Sequence, residues 1–154
     1  MDNRIRISKH FSLYDVQYNE TAVRLGINNE LSSDAQVDNA RALAINVLEP
    51  IWKELGPQFI TSWYRGDALE RDYSRNAFAR WCIAERRALR EDSWADYMDQ
   101  KQHHSGSAVT LRAADNTALF EYIKTLPAFD VLQHKTHWIS VSFTASNQKR
   151  VIHE

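Results

Sequence analysis

Only one cysteine, Cys82, stands among 154 residues, which excludes an intrachain disulfide framework and a thiolate metal cluster. Its neighbours Trp81 and Ile83 suit a buried helix position. The chain also lacks any apolar run near the ~20 residues that a membrane-spanning helix needs. Its opening Met1-Asp2-Asn3-Arg4-Ile5-Arg6 has no apolar stretch behind it, so no membrane partner, no signal peptide and a cytoplasmic location are expected. Charge of one sign is missing too: 19 Lys and Arg face 20 Asp and Glu, a net charge of -1. That balance leaves no overall basic field for general nucleic-acid binding. With four glycines and three prolines there is no linker, repeat or low-complexity run, and one domain over residues 1–154 is expected.

What the chain does hold is a 44% hydrophobic content, enough for a sizeable core. Ser12 opens a short helix with Asp15 placed to complete a capping box, and a second short helix over 21–25 stops at Gly26. Ser33-Asp34 caps a longer stretch in which Val37, Ala40, Ala44, Leu48, Ile51 and Leu55 recur at helical spacing until Gly56-Pro57. Pro50 lies inside that stripe and should kink or divide it. The β-branched and aromatic run 58–64 reads as a strand. Residues 68–99 carry one or two amphipathic helices, and after a polar break at 100–106 a short strand covers 108–111. Asn116 or Thr117 caps a helix through Leu126, and strands over 129–133 and 138–143 form a hairpin. Helices first and paired strands late predict an α+β fold with a small antiparallel sheet flanked by helices.

Four segments carry a more specific signal. They are His10-Phe11-Ser12-Leu13 with 21–27; Leu48-Glu49-Pro50 with Ile60-Thr61-Ser62-Trp63-Tyr64-Arg65; the run 102–108 around His103-His104; and Phe129-Asp130-Val131-Leu132 with 138–143. In that order and spacing the chain resembles the zinc D-alanyl-D-alanine carboxypeptidases and the related phage peptidoglycan peptidases. The resemblance implies the Hedgehog/DD-peptidase-like fold, here with a helical insertion at about 68–99. It also implies a bacterial cytoplasm or a virion as location.

Members of that family hold zinc with two His and one Asp, leave a position open for water, and use a Glu as general base. The resemblance places the first His at His103. The Asp position, seven residues on, is Thr110, and the second His position is Ser140. Where the base would stand are Lys135 and its neighbours His134 and Thr136. Neutral hydroxyls bring no negative charge and little donor strength to zinc. Arg65 keeps the position that meets a substrate carboxylate in the family, and Trp63 replaces a glycine of the same motif.

The expectation is therefore a catalytically inactive relative, phage-encoded, acting as a binding or structural module without a cofactor. Its partner is a protein in a virion or host cell, or a cell-wall peptide. The binding residues expected are Arg65, Tyr64, Trp63, His103, Thr110 and Ser140, with His103 a vestigial ligand and no catalytic residue assigned. The competing expectation is an active zinc hydrolase with a rearranged metal shell drawn from His103, Asp115, His134 and His137. Arg65 itself has a plainer alternative, an ion pair with Asp67 or Glu70. The arginines at 80, 86, 87 and 90 are interleaved with acids and read first as a solvated helix face. Trp81 and Trp94 read first as core.

Overall fold

The computed structural model describes residues 2–153. The chain begins with two short helices, α1 (Leu13–Gln17) and α2 (Glu20–Leu25). Ser12 N–H donates to the Asp15 carboxylate at 2.7 Å, the reciprocal half of the expected capping box. Gly26 closes α2 in the left-handed region, at φ 66°, where a residue without Cβ carries no steric penalty.

The stripe from Ser33 divides as Pro50 demands. Helix α3 (Asp34–Leu43) runs into a wider π turn over Ala44–Leu48, and α4 (Glu49–Leu55) follows with Pro50 in its first turn. Proline has no N–H to return to the fourth residue back. The winding loosens just before it, and Glu49 N–H reaches Ala44 O, five residues back.

After β1 (Phe59–Ser62) come α5 (Asp67–Ala84) and α6 (Glu91–Met98), then β2 (Ala108–Arg112), α7 (Asn116–Lys124), β3 (Val131–His134), β4 (Ile139–Ser142) and β5 (Arg150–His153). The cap of α7 is Asp115, whose side chain accepts from Ala118 N–H at 3.0 Å. Of the two expected caps, Thr117 lies inside the helix and Asn116 turns back to accept from Ala113 N–H at 2.8 Å.

The five strands lie in the order β1-β2-β4-β3-β5, so the fold is α+β with one mixed sheet. Four strands pair antiparallel, and β3–β4 is the expected hairpin. The expectation of a purely antiparallel sheet is corrected by β5, which pairs parallel with β3. All four β5 residues are exposed, so the burial alternation that marks a strand in sequence is missing there.

Register sorts the side chains into two faces. Ile60, Leu111 and Ile139 sit opposite one another in one row, and Val109, Val141 and Leu132 in the next. All of these except the part-buried Ile60 are essentially inaccessible. Helix α7 lies over β3 and β4 and brings Leu119, Phe120 and Ile123 into the same core as Leu43, Val47, Leu48 and Ile51. Full burial of each such side chain contributes about 1.5–3 kcal/mol. A second, separate cluster joins α5 and α6 through Trp94, Tyr97 and Met98, with Phe78 and Trp81 packed against it. Phe78 meets Trp94 edge-on at 5.0 Å, a favourable arrangement for ring quadrupoles. Cys82 is buried on α5, as expected.

Candidate functional site

The other face of the sheet is polar. Thr110 on β2 lies opposite Ser140 on β4, and Ser140 lies opposite Gln133 on β3. Ser62 joins the row through an irregularity: Ile60 pairs with Leu111, yet Ser62 pairs with Thr110. Regular pairing would set Ser62 opposite Val109. The extra residue, Thr61, redirects Ser62 to the polar face, which is what a β-bulge does. Thr61 meanwhile donates its hydroxyl to Thr110 O at 3.2 Å. Ser62 is 7% exposed, and its Oγ has no hydrogen-bond partner.

The loop at 100–106 covers this row and is tied to the strand end at 63–66. His103 Nδ1 lies 2.6 Å from Trp63 O. A carbonyl only accepts, so Nδ1 carries the proton and Nε2 presents its lone pair. Thr110 Oγ1 lies 3.4 Å from that Nε2 and donates to it. His103 is thus a neutral imidazole with both nitrogens engaged. Its pKa is pushed down to about 3, first by burial and then by the positive charge of Arg65, against the opposing pull of the Trp63 carbonyl. Further ties are Arg65 N–H to His103 O at 3.2 Å and Trp63 Nε1–H to Gly106 O at 3.0 Å. Gly106 has φ 83°, and a Cβ there would sit 2.8 Å from Gln36 O, so only glycine lets α3 approach this loop.

Arg65 and its neighbours take separate roles. Trp63 is fully buried, edge-on to Phe11, and Tyr64 is 2% exposed, so both rings belong to the core. The Tyr64 carbonyl accepts from Asn29 Nδ2, which also donates to Gln17 O, while Asn29 Oδ1 takes Gly66 N–H. Arg65 does form an ion pair, with Glu70 of α5: Nε lies 2.9 Å from Oε2, with the Glu70 side chain 1% exposed. The N–H is not aimed along that line, since neither atom completes a hydrogen bond, so the attraction is Coulombic. Ser74 Oγ donates to the other Glu70 oxygen at 3.1 Å, and the Arg65 guanidinium lies over the Tyr73 ring. Asp67, the alternative partner, instead accepts from Trp94 Nε1 and Arg71.

Whether zinc suits the polar row follows from its donors. His103 Nε2, Thr110 Oγ1 and the Ser140 hydroxyl are all neutral, and the carboxylate of a catalytic zinc site has no counterpart among them. The residues present do not fit the metal. Among the described residues, no group of three or more His, Cys, Asp or Glu side chains is placed to share an ion. The residues considered for a rearranged shell are dispersed. Asp115 caps α7, and His134 shares the row of Ile139, on the face opposite His103. His137 lies in the turn between β3 and β4. Lys135 holds that turn by donating its N–H to Trp138 O.

Sequence reasoning singles out neither Ser62 nor Asn29, and it names Glu70 as a partner for Arg65 without its burial. The meeting of His10 and Glu49 is also new. Glu49 accepts from His10 Nδ1 at 2.6 Å, from His10 N–H and from Ser8 Oγ, while His10 stacks on Trp52. Two of the motif segments, 39 residues apart, are joined by that carboxylate. Burial works to raise the Glu49 pKa, but these hydrogen bonds outweigh it and hold the group below its ordinary value.

No protein-family model matches this chain, and neither a curated protein nor a solved structure matches it. No helix among the described residues is long and apolar enough to cross a membrane.

Proposed function

We propose that the chain is a non-catalytic, phage-encoded relative of the zinc D-alanyl-D-alanine carboxypeptidases that works by binding a protein partner. The observation carrying this reading is the state of His103. The nitrogen that a metal would take accepts from the Thr110 hydroxyl, and no carboxylate stands beside it. Hydrolysis by the family's route needs an activated water and a base, and this row supplies neither. Arg65, the remaining anion-binding group, is already neutralised by Glu70.

A protein partner is favoured over a cell-wall peptide because the helical pair carries an accessible apolar groove. Arg71, Arg75, Phe78, Ala79, Leu89 and Trp94 line a groove of about 300 Å³. Leu89 is 66% exposed there, beside the exposed guanidinium of Arg75. Apolar anchors beside arginine are the usual composition of a protein interface.

The direct test rebuilds the lost donors. A Thr110→Asp, Ser140→His double variant should gain an equivalent of zinc that His103→Ala then abolishes, because the three side chains would again share one site. Failure of the folded double variant to gain that zinc would argue against descent from a zinc site. Release of D-alanine by the unaltered chain from D-alanyl-D-alanine muropeptides, abolished by His103→Ala, would overturn the non-catalytic reading.

A further inference from the structure

Strand β5 (Arg150–His153) is held to the sheet by β3 alone, and all its residues are exposed. Its parallel register sets His153 directly beside His134. His153 Nε2 lies 3.1 Å from His134 Nδ1, close enough to share one proton. Phe120 of α7 fixes both rings, stacking on His134 at 4.9 Å and meeting His153 edge-on at 5.5 Å. Neither ring belongs to the polar row, because this pair continues the row of Ile60, Leu111 and Ile139 on the opposite face.

Two imidazoles bound to one tetrahedral cation at a metal–nitrogen distance of ~2.0–2.1 Å have donor atoms roughly 3.3–3.4 Å apart. The observed spacing is a few tenths of an ångström shorter, as expected for a proton in place of a metal. Converging the two lone pairs on one point takes a turn of both rings about χ2, made against their contacts with Phe120. Two lysines flank the pair: Lys124 lies over the Phe120 ring at 5.3 Å and is itself paired with Glu121 at 3.0 Å, and Lys135, next to His134 in the chain, lies over the Trp138 ring.

We propose that His134 and His153 form a two-imidazole site for a borderline divalent cation, Zn²⁺ or Cu²⁺, that clips β5 to β3. Imidazole nitrogen suits both ions, and Cu²⁺ binds the tighter of the two in the usual divalent order. Water fills the remaining coordination positions. The ring that donates in the metal-free pair shifts its N–H to its other nitrogen, so both rings bind as neutral imidazoles with one N–H each, and because a protonated ring has no lone pair to give, binding weakens as pH falls. Because the site exists only when β5 is paired, the ion stabilises that pairing by mass action.

The test is calorimetric titration of the tag-free, metal-free full chain with ZnCl2 and with CuCl2 at neutral pH. Amide hydrogen exchange of 150–153 is followed alongside. The expected result is one saturable equivalent, with exchange in β5 slowed by the metal. His153→Gln, at an exposed position, should lower affinity at least about tenfold, and His103→Ala should leave it unchanged. Absence of saturable binding would overturn the clip alone and leave the non-catalytic reading standing. Binding that survives His153→Gln but vanishes with His103→Ala would place the metal on the polar row and overturn both.

Discussion

On one face of the sheet, Ile60, Leu111 and Ile139 meet in a row that α7 covers at its β4 end; one residue along β2, β3 and β4, and two along β1 where Thr61 bulges, Ser62, Thr110, Ser140 and Gln133 form a row of hydroxyls and an amide on the other face. The strands and hydrogen-bond ladder are shared, so the difference is carried by side chains alone. The apolar row is packed against helices and specifies the fold. The polar row is roofed by a loop whose contacts are single hydrogen bonds, and it retains one buried hydroxyl without a partner. A face that is buried yet polar gains little from the hydrophobic effect and pays desolvation for each group left unpaired.

The largest effect that would break this contrast lies on the apolar row. Ile139→Ala removes a side chain with no exposure, between Leu111 and His134. The expected loss is about 2–5 kcal/mol, from transfer plus the cavity left behind, read from the denaturant midpoint at unchanged slope. Ser140→Ala, the adjacent residue on the other face, should cost under about 1 kcal/mol. Equal losses at the two positions would mean that both faces are load-sharing and that the distinction is wrong.

How much of this was legible in the sequence depends on where the information resides. Residues with local reach were readable: Ser12 and Asp15 of the capping box, Gly26 at a helix end, Pro50 dividing a stripe, and the β3–β4 hairpin. Strand β5 was not, because its four exposed residues carry no alternation and its partner lies about twenty residues back. Of the site, the Thr110 and Ser140 positions do come together across β2 and β4, and His103 reaches Thr110. Trp63 is held in the core by Phe11 against its ring and by Gly106 O at its indole N–H, and Tyr64 by Gln36 at its hydroxyl and Asn29 at its main-chain carbonyl. Ser62 depended on a bulge, and a single inserted residue in a ladder leaves no trace in hydrophobic pattern. Glu70 depended on tertiary burial of a residue type that is almost always solvated.

A smaller effect sharpens the comparison through pH. His103 has a folded pKa of about 3 against an ordinary 6.5, so between those values the unfolded chain binds a proton that the folded chain refuses. Stability then rises with pH across that window, and it is lost as pH falls from about 6.5 toward 3. The carboxylates of Glu49 and Asp67, both held below their ordinary values, lose stability in the same direction. Their share is removed by comparing variants: His103→Gln keeps a donor for Trp63 O and an acceptor for Thr110 but has no titration. Urea midpoints measured at neutral pH and at about pH 4.5 should fall less in the variant than in the native chain. Equal falls would show that the ring is solvated and that Arg65 does not act on it.

The smallest effect has the opposite sign. Ser62 Oγ is buried without a partner beside Thr110, and an unpaired buried hydroxyl costs its desolvation without return. Ser62→Ala deletes that hydroxyl and leaves the bulge, which is fixed by the backbone and by Thr61, in place. Stability should rise, or at the least not fall, by about 1 kcal/mol, read from the denaturant midpoint. A fall of that size would show that Ser62 Oγ is satisfied in solution by an ordered water. The polar row would then resemble a hydrated groove more than a sealed one. The sign of this one substitution therefore decides whether the face opposite the core is closed over its hydroxyls or open to a solute.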